Sequence, residues 1–377
     1  MVVVTISIGF YGYGFWGRAH ANALAKLPVF FPDSPTVEKA VLVGRDETKL
    51  PAAVDDLGFE RYVTDVTDAL DEIDVLYNLG PPSSHVEPSI AALDAGVHVL
   101  CEKPLADTLV GAKRMAQAAA ESDAVAGIGF NYRFVPAIQY AGGLISDGVI
   151  GEVRDIQAQF FGDWLVDPDR PWHWSQSRVV AGSGAHGDLG SHVIDLVRFL
   201  VEAQTGEITH VSGQLRTFVD ERPAESGGTQ QVDVDDAAHA IVSFENGAFG
   251  RLDASRVAPA HRTDLRVEVH GSAGSLRVAF GLGHLGTLHL YREGEDDDFQ
   301  RVPVLEDPAP YVDQWWPFLP VYDGVDTVML ENRAFMRAVE TGEPHETSFA
   351  DGLAVQQVID AIARSDEQGS RMEIHQE

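Results

Sequence analysis

The sequence predicts an α/β protein of two bodies. A doubly wound parallel sheet is expected over residues 1–131, and an α+β body over 132–377, with an open, mostly antiparallel sheet and helices on one face. Three observations carry this. Strand-like and helix-like stretches alternate through the first third. A G-x-G-x-x-G spacing falls between the first strand and the first helix. After residue 131 the apolar period shortens to two, as in half-buried antiparallel strands.

In order along the chain, residues 2–10 form a near-continuous apolar run rich in Val and Ile, the pattern of a parallel strand covered on both faces. "GYGFWGRAH" follows and sets Gly12, Gly14 and Gly17 in the glycine spacing. Glycines there permit a tight turn, close approach of a pyrophosphate and close helix–strand packing, with the helix N-terminus facing the phosphates. Between a strand and a helix, the motif marks a Rossmann body that binds NAD(P). It nominates Gly12, Tyr13, Gly14, Phe15, Trp16 and Gly17 as cofactor contacts.

"KAVLVG" reads as the second strand and "TKLPAAVDDLG" as a short helix. "DVLYNLG" is a strand, and "SHVEPSIAALDAG" a helix with Gly96 at its C-cap. "VHVLCE", "DTLVGAKRMAQAAAES" and "AVAGIGF" complete the alternation as strand, helix and strand. The second strand ends in Val43-Gly44-Arg45-Asp46. An acid at its end holds the ribose 2′-hydroxyl of NAD, whereas an arginine accommodates the 2′-phosphate of NADP. Gly44 in the acidic slot with Arg45 beside it leans towards NADP; the other reading has Asp46 capping the next helix and Arg45 stacking on the adenine.

Ligands of such sheets bind at the carboxyl ends of the strands. Those ends carry Pro81, Ser83 and His85, then Glu102 and Lys103, then Asn131, Tyr132 and Arg133. Lys103 is one of only five lysines in the chain, and Pro104 after it prevents a helix from starting at once.

In the second body "GEVRDIQAQFFGDWL" reads as a long half-buried strand on which Gln159 and Asp163 alternate. Further strands turn at Asn246-Gly247 and at 271–274. Helices are expected near 136–146, 187–201, 326–340 and 349–364, and loops at Glu221–Asp233 and Glu293–Asp307. In "GSGAHGDLGSHVIDLVRFL", Asp188 and His192 stand at i and i+4 of one helix, with Asp195 about a turn further. A histidine trades a proton near neutral pH, and an aspartate beside it orients it or holds a hydroxyl. A buried capping pair, or a core histidine satisfied by Asp195, is the structural alternative. His186, Asp188 and His192 lack metal-site spacing, so no metal is expected.

The formal net charge is -31, from 58 acidic and 27 basic residues. No basic stripe exists for phosphate neutralisation, which excludes nucleic acid as a partner. No apolar run reaches the roughly 20 residues of a membrane span. The single cysteine, Cys101, allows no internal disulfide, and the N-terminus carries no signal-peptide pattern, so a cytoplasmic protein is expected. Dispersed acids with scarce lysine suggest adaptation to high salt.

The set "GYGFWGRAH", "PPSSH", "CEKPLA", "FNYRF" and "GDLGSHVIDL", with "FENGAFG", "EVHGSAGSL" and "SFADGLAVQQVIDAIARS", resembles the Gfo/Idh/MocA family of nicotinamide-dependent oxidoreductases over nearly the whole chain. The resemblance implies an NAD(P)-dependent dehydrogenase acting on a secondary alcohol of a sugar, cyclitol or anhydrosugar. Lys103, Asp188 and His192 would line the substrate pocket. Arg45, Pro81, Ser83, His85, Glu102, Lys103, Asn131 and Arg133 would lie on the cofactor, and Tyr132, Gln159, Asp163, Trp172 and His186 towards the substrate. It also implies a homodimer or homotetramer. His186, where a small or aliphatic residue is usual, and "YNLGPP" depart from the family pattern. Relatives that oxidise a sugar only transiently while cleaving a glycoside, and a non-catalytic nucleotide-responsive regulator, are the alternatives.

Overall fold

The computed structural model describes residues 5–281, 284–304 and 324–374. The chain divides into two compact units: Met1–Asn131 with Gly324–Leu353, and Tyr132–Asp323 with Ala354–Glu377.

The first unit opens with strand β1 (Thr5–Tyr11), helix α1 (Phe15–Phe30), β2 (Thr36–Val43), α2 (Leu50–Leu57), β3 (Arg61–Val63), β4 (Val75–Asn78), α3 (Val86–Asp94), β5 (His98–Cys101), α4 (Leu109–Ala120) and β6 (Ala126–Ile128). The strands form one six-stranded sheet in the order β3-β2-β1-β4-β5-β6, with every pairing parallel. This is the Rossmann order, and its topological switch lies between β1 and β4. Ile8, Phe10, Leu42, Val43, Leu76, Tyr77, Val99 and Leu100 are all but inaccessible, which is why these strands read as unbroken apolar runs. Gly96, at φ 77°, ends α3 as the C-cap pattern requires.

The second unit begins with α5 (Pro136–Ser146), β7 (Val153–Phe161), α6 (Arg178–Ala181), α7 (Ala185–Asp188) and α8 (Gly190–Thr205). β8 (Ile208–Arg216), β9 (Glu221–Pro223), β10 (Thr229–Gln231), β11 (Ala237–Phe244), β12 (Phe249–Ser255), β13 (Asp264–Gly271), β14 (Gly274–Gly281), β15 (His284–Arg292) and β16 (Gln300–Val302) follow. The chain then enters α9 (Gly324–Thr341) and α10 (Phe349–Gln368) and ends in β17 (Met372–Glu373). Nine strands form one sheet in the order β16-β15-β14-β13-β7-β12-β11-β8-β17. Only β7 and β12, among the described pairings of this sheet, run parallel. Ile156, Ala158 and Phe160 of β7 face the core with Val193, Leu196 and Val197 of α8, while Gln157 and Gln159 take the opposite face.

Four expectations change. The loop expected at Glu221–Asp233 holds the β9–β10 hairpin. The loop expected at Glu293–Asp307 holds β16, and its residues beyond Val304 lie outside the described residues. The helix expected over 187–201 is two helices, broken at Leu189. The segment 324–353, assigned from sequence to the second body, belongs to the first unit. There Ile128 N donates to Thr347 O (2.9 Å), and Thr347 Oγ1 donates to Ile128 O (2.8 Å). An amphipathic helix announces its apolar face but not its partner, so this return was not readable from the pattern.

Candidate active site

In the first unit the glycine turn has the shape that a dinucleotide needs. Gly12 stands at φ 108°, and a Cβ there would lie 2.9 Å from Leu79 O. A Cβ on Gly17 would meet Gly12 O at 2.8 Å, whereas at Gly14 nothing lies within 4 Å. α1 starts after Gly14 with no side-chain cap and no acid in its first turn. Its orphan N–H groups and positive dipole end are therefore available to an anion. Phe15 beside them is 75 % exposed, and its ring lies 5.2 Å from that of Trp16. These residues fit a pyrophosphate.

Past β2 the side-chain space at Gly44 is already filled. A Cβ there would be 2.6 Å from Tyr13 Cε1 and 2.8 Å from Leu50 Cδ2. Asp46 accepts from Thr48 N (3.1 Å) and Thr48 Oγ1 (2.6 Å) and pairs with Lys49 (3.3 Å), so it serves its own turn. The Arg45 side chain is exposed and makes no hydrogen bond or ion pair among the described residues.

After β4 a single 3-10 turn, Pro82–Ser84, leaves Ser83 exposed and Pro81 half-buried. His85, expected on the cofactor, is instead fully buried: Nε2 lies 2.9 Å from Gly80 O, and Nδ1 lies 3.0 Å from Pro104 O and 3.3 Å from Leu105 O. Burial holds its pKa below the ordinary imidazole value, against the carbonyls and the Glu102 charge that raise it. The ring thus ties the turn after β4 to the segment that carries Lys103. Glu102 is also buried, with Oε2 accepting from Lys103 N (3.2 Å) and Oε1 3.3 Å from His20 Nε2. His20 Nδ1 in turn lies 3.0 Å from Asn332 Oδ1. Lys103 is half-buried, and its bond to Pro104 is cis. Asn131, also expected on the cofactor, is buried and donates from Nδ2 to Thr327 Oγ1 at 2.7 Å.

In the second unit His192 is 4 % exposed on the first turn of α8. The Tyr132 ring meets it edge-on at 4.6 Å and Phe160 lies 6.0 Å away, so it occupies an aromatic recess. Asp188 is the last residue of α7, so Leu189 separates the two by a helix break rather than a continuous turn. Asp195, which the structural alternative paired with His192, is engaged by Arg133. It accepts a two-pronged ion pair from Arg133, with Nε 2.9 and 3.0 Å from its oxygens and Nη2 2.6 Å away. Arg133, expected on the cofactor, is thereby committed to Asp195 inside this unit. The other substrate candidates also move. Gln159 turns to the face of the sheet opposite Phe160, Asp163 lies beyond the end of β7, and Trp172 Nε1 donates to Gln231 O at 3.0 Å.

His186 is buried, with Nδ1 2.6 Å from Asp235 Oδ1. Asp235 also accepts from Gly184 N and His186 N, each at 2.9 Å, and so caps α7. Burial raises the Asp235 pKa, but the His186 and Arg256 charges and these donors outweigh it and bring it down to about 2. His186, expected to touch substrate, therefore locks the turn that carries Asp188. His20, Asp235 and Arg256 were missed by sequence reasoning; only His20, inside the quoted glycine motif, had a local signal. Among the described residues no group of three or more His, Cys, Asp or Glu could hold a metal ion, and no helix is long and apolar enough to cross a membrane.

Comparison with known proteins fits both units. Residues 6–130 match the oxidoreductase family with an NAD-binding Rossmann fold, and residues 138–277 match the GFO/IDH/MocA C-terminal domain. The levoglucosan dehydrogenase of Pseudarthrobacter phenanthrenivorans is 33 % identical over 98 % of both chains. An oxidoreductase domain protein from Kribbella flavida superimposes with a TM-score of 0.92 at 39 % identity, covering 99 % of this chain and 100 % of that one. A levoglucosan dehydrogenase in complex with NADH and levoglucosan does so with a TM-score of 0.92 at 33 % identity, with the same coverage. Fold and glycine turn thus define an oxidoreductase with an NAD-binding Rossmann domain. The chain belongs to the Gfo/Idh/MocA family.

Proposed function

We propose that this enzyme moves hydride between a nicotinamide cofactor and a secondary carbinol of a sugar, with an anhydrosugar of the levoglucosan type as the first candidate. The observation that carries the reading is the near-full-length similarity to levoglucosan dehydrogenase in a chain that keeps Lys103, Asp188 and His192. Bound nicotinamide supplies the hydride acceptor. A ring nitrogen of His192 takes the hydroxyl proton as the carbinol is oxidised, Lys103 Nζ donates a hydrogen bond to the developing alkoxide oxygen, and the Asp188 carboxylate accepts from a neighbouring hydroxyl. The aromatic recess around His192 excludes water from the base.

Arg45, exposed and without an ion pair among the described residues, and Gly44, where no acid stands, support acceptance of NADP. Exposed Ile241 and Phe249 on the second unit's sheet support self-association as a dimer or tetramer. No observation favours the transient-oxidation glycosidase or the regulator.

The test mixes purified protein with NAD or NADP and levoglucosan, myo-inositol or xylose, and follows reduced-nicotinamide absorbance. Net reduction with one of these sugars is expected. His192→Ala and Lys103→Ala should each lower turnover about a hundredfold while cofactor binding persists. Cofactor bound with no net reduction by any polyol would refute the dehydrogenase reading.

A further inference from the structure

The second unit holds three aspartates close to the proposed chemistry, and their surroundings differ. Asp195 accepts the Arg133 fork, and Asp235 accepts from three donors. The Asp188 side chain keeps 37 % of its surface exposed, and Arg256 approaches it, with Nη1 3.9 Å from Asp188 Oδ2. Arg256 follows β12 directly and is wholly buried. Its Nη1 donates to Ser175 O (3.1 Å) and its Nη2 to Asp235 O (2.9 Å). Its own N donates to Asp236 O (2.9 Å), and its O accepts from Leu165 N (3.0 Å).

We propose that Arg256 is the positioning residue for Asp188: it anchors the α7 turn and sets where the carboxylate meets a substrate hydroxyl. The inference rests on the reading of Asp188 as a hydroxyl acceptor and adds the group that places it. A buried guanidinium is costly, and carboxylates nearby offset that cost: the Asp235 charge does so here, and Asp188 lies at 3.9 Å. At 3.9 Å the contact is too long for a hydrogen bond and acts through charge alone. The contact thus differs from the Arg133–Asp195 fork, whose N–H groups sit on the carboxylate oxygens. The anchor is stiff. Asp235 receives Arg256 on its carbonyl, caps α7 with its carboxylate, and is locked there by His186. Gly184 packs so closely on the Asp235 backbone that no side chain fits there. The departure from the family pattern at His186 thus belongs to the same device.

The test is a double-mutant cycle on the full-length enzyme, with levoglucosan or whichever panel sugar turns over fastest. Arg256→Met should raise the sugar KM tenfold or more, with a smaller fall in kcat and an unchanged cofactor Kd. Arg256→Lys should recover part of the loss, because it restores the cation. In an Asp188→Asn background the same Arg256 changes should alter KM less than twofold. Full additivity of the two positions, or an unchanged KM in Arg256→Met, overturns the proposal. An Asp188→Asn enzyme with wild-type KM and kcat sinks the underlying reading of Asp188 instead. If Arg256→Met does not fold, Arg256→Lys carries the cycle: a several-fold rise in KM that disappears with Asp188→Asn supports it, and an additive rise overturns it.

Discussion

Replacing Asp235 by Asn probes the α7 cap directly. The carboxylate pKa falls from 3.8 to about 2 on folding. At about 1.36 kcal/mol per pH unit, this contributes on the order of 2 kcal/mol at neutral pH. The folded value lies below the unfolded one, so the contribution is complete above about pH 5 and is lost as pH falls from about 4 to 2; at pH 3 roughly half is gone. Asp235→Asn removes this ionic part. It also turns an NH2 group towards either His186 N–H or the donors on the other oxygen, a loss that does not depend on pH. For a unit of this size the ionic part amounts to about 5–10 °C in Tm at neutral pH. The assay is urea or thermal unfolding of wild type and variant at pH 7, 5 and 3, followed by tryptophan fluorescence, because Trp164, Trp172 and Trp174 lie in the same unit. The gap between the proteins should narrow by about 1 kcal/mol between pH 5 and pH 3. A gap that stays constant, or widens towards acid, would refute the assignment of the carboxylate as the stabilising species.

Arg45→Ala should raise the KM for NADP about tenfold and that for NAD less than twofold, since a charge-assisted contact to the 2′-phosphate is lost; an unchanged ratio in steady-state kinetics ends the case for Arg45. His85→Ala removes the tie between Gly80 and the Lys103 segment, so kcat should fall while cofactor Kd stays within about threefold. Isothermal titration of the cofactor checks this, and a collapse of affinity would return His85 to the cofactor site. With a net charge of -31, Tm should rise steadily with KCl up to molar concentrations, and a flat salt response would contradict the high-salt reading.

The alternating strands and helices of the first unit were legible because each carries its own period and its own punctuation, from the β1 apolar run to Gly96. The glycine turn was legible because its chemistry is local. What the sequence hid was pairing across distance. Arg133 and Asp195 stand 62 positions apart, and His186 and Asp235 stand 49 apart. No spacing rule connects such residues, so Arg133, His85 and Asn131 looked available for ligand when buried partners had already claimed them. Asp163 read as part of the long strand, but β7 ends at Phe161, two residues short of it. The break at Leu189 was hidden because Asp188 and His192 keep helical spacing across it.

The return of 324–353 to the first unit has a consequence during synthesis. The Rossmann sheet is complete in sequence by Ile128, yet the helix that packs on α1 and the Thr347 group that bonds to the β6 edge leave the ribosome only after most of the second unit has emerged. Folding therefore cannot proceed as two finished beads in order of translation. A fragment cut after Asn131 would lack the cover for α1 and the segment bonded to the β6 edge of its sheet, so a nucleotide-binding half of this enzyme has to be built from two separate stretches of chain.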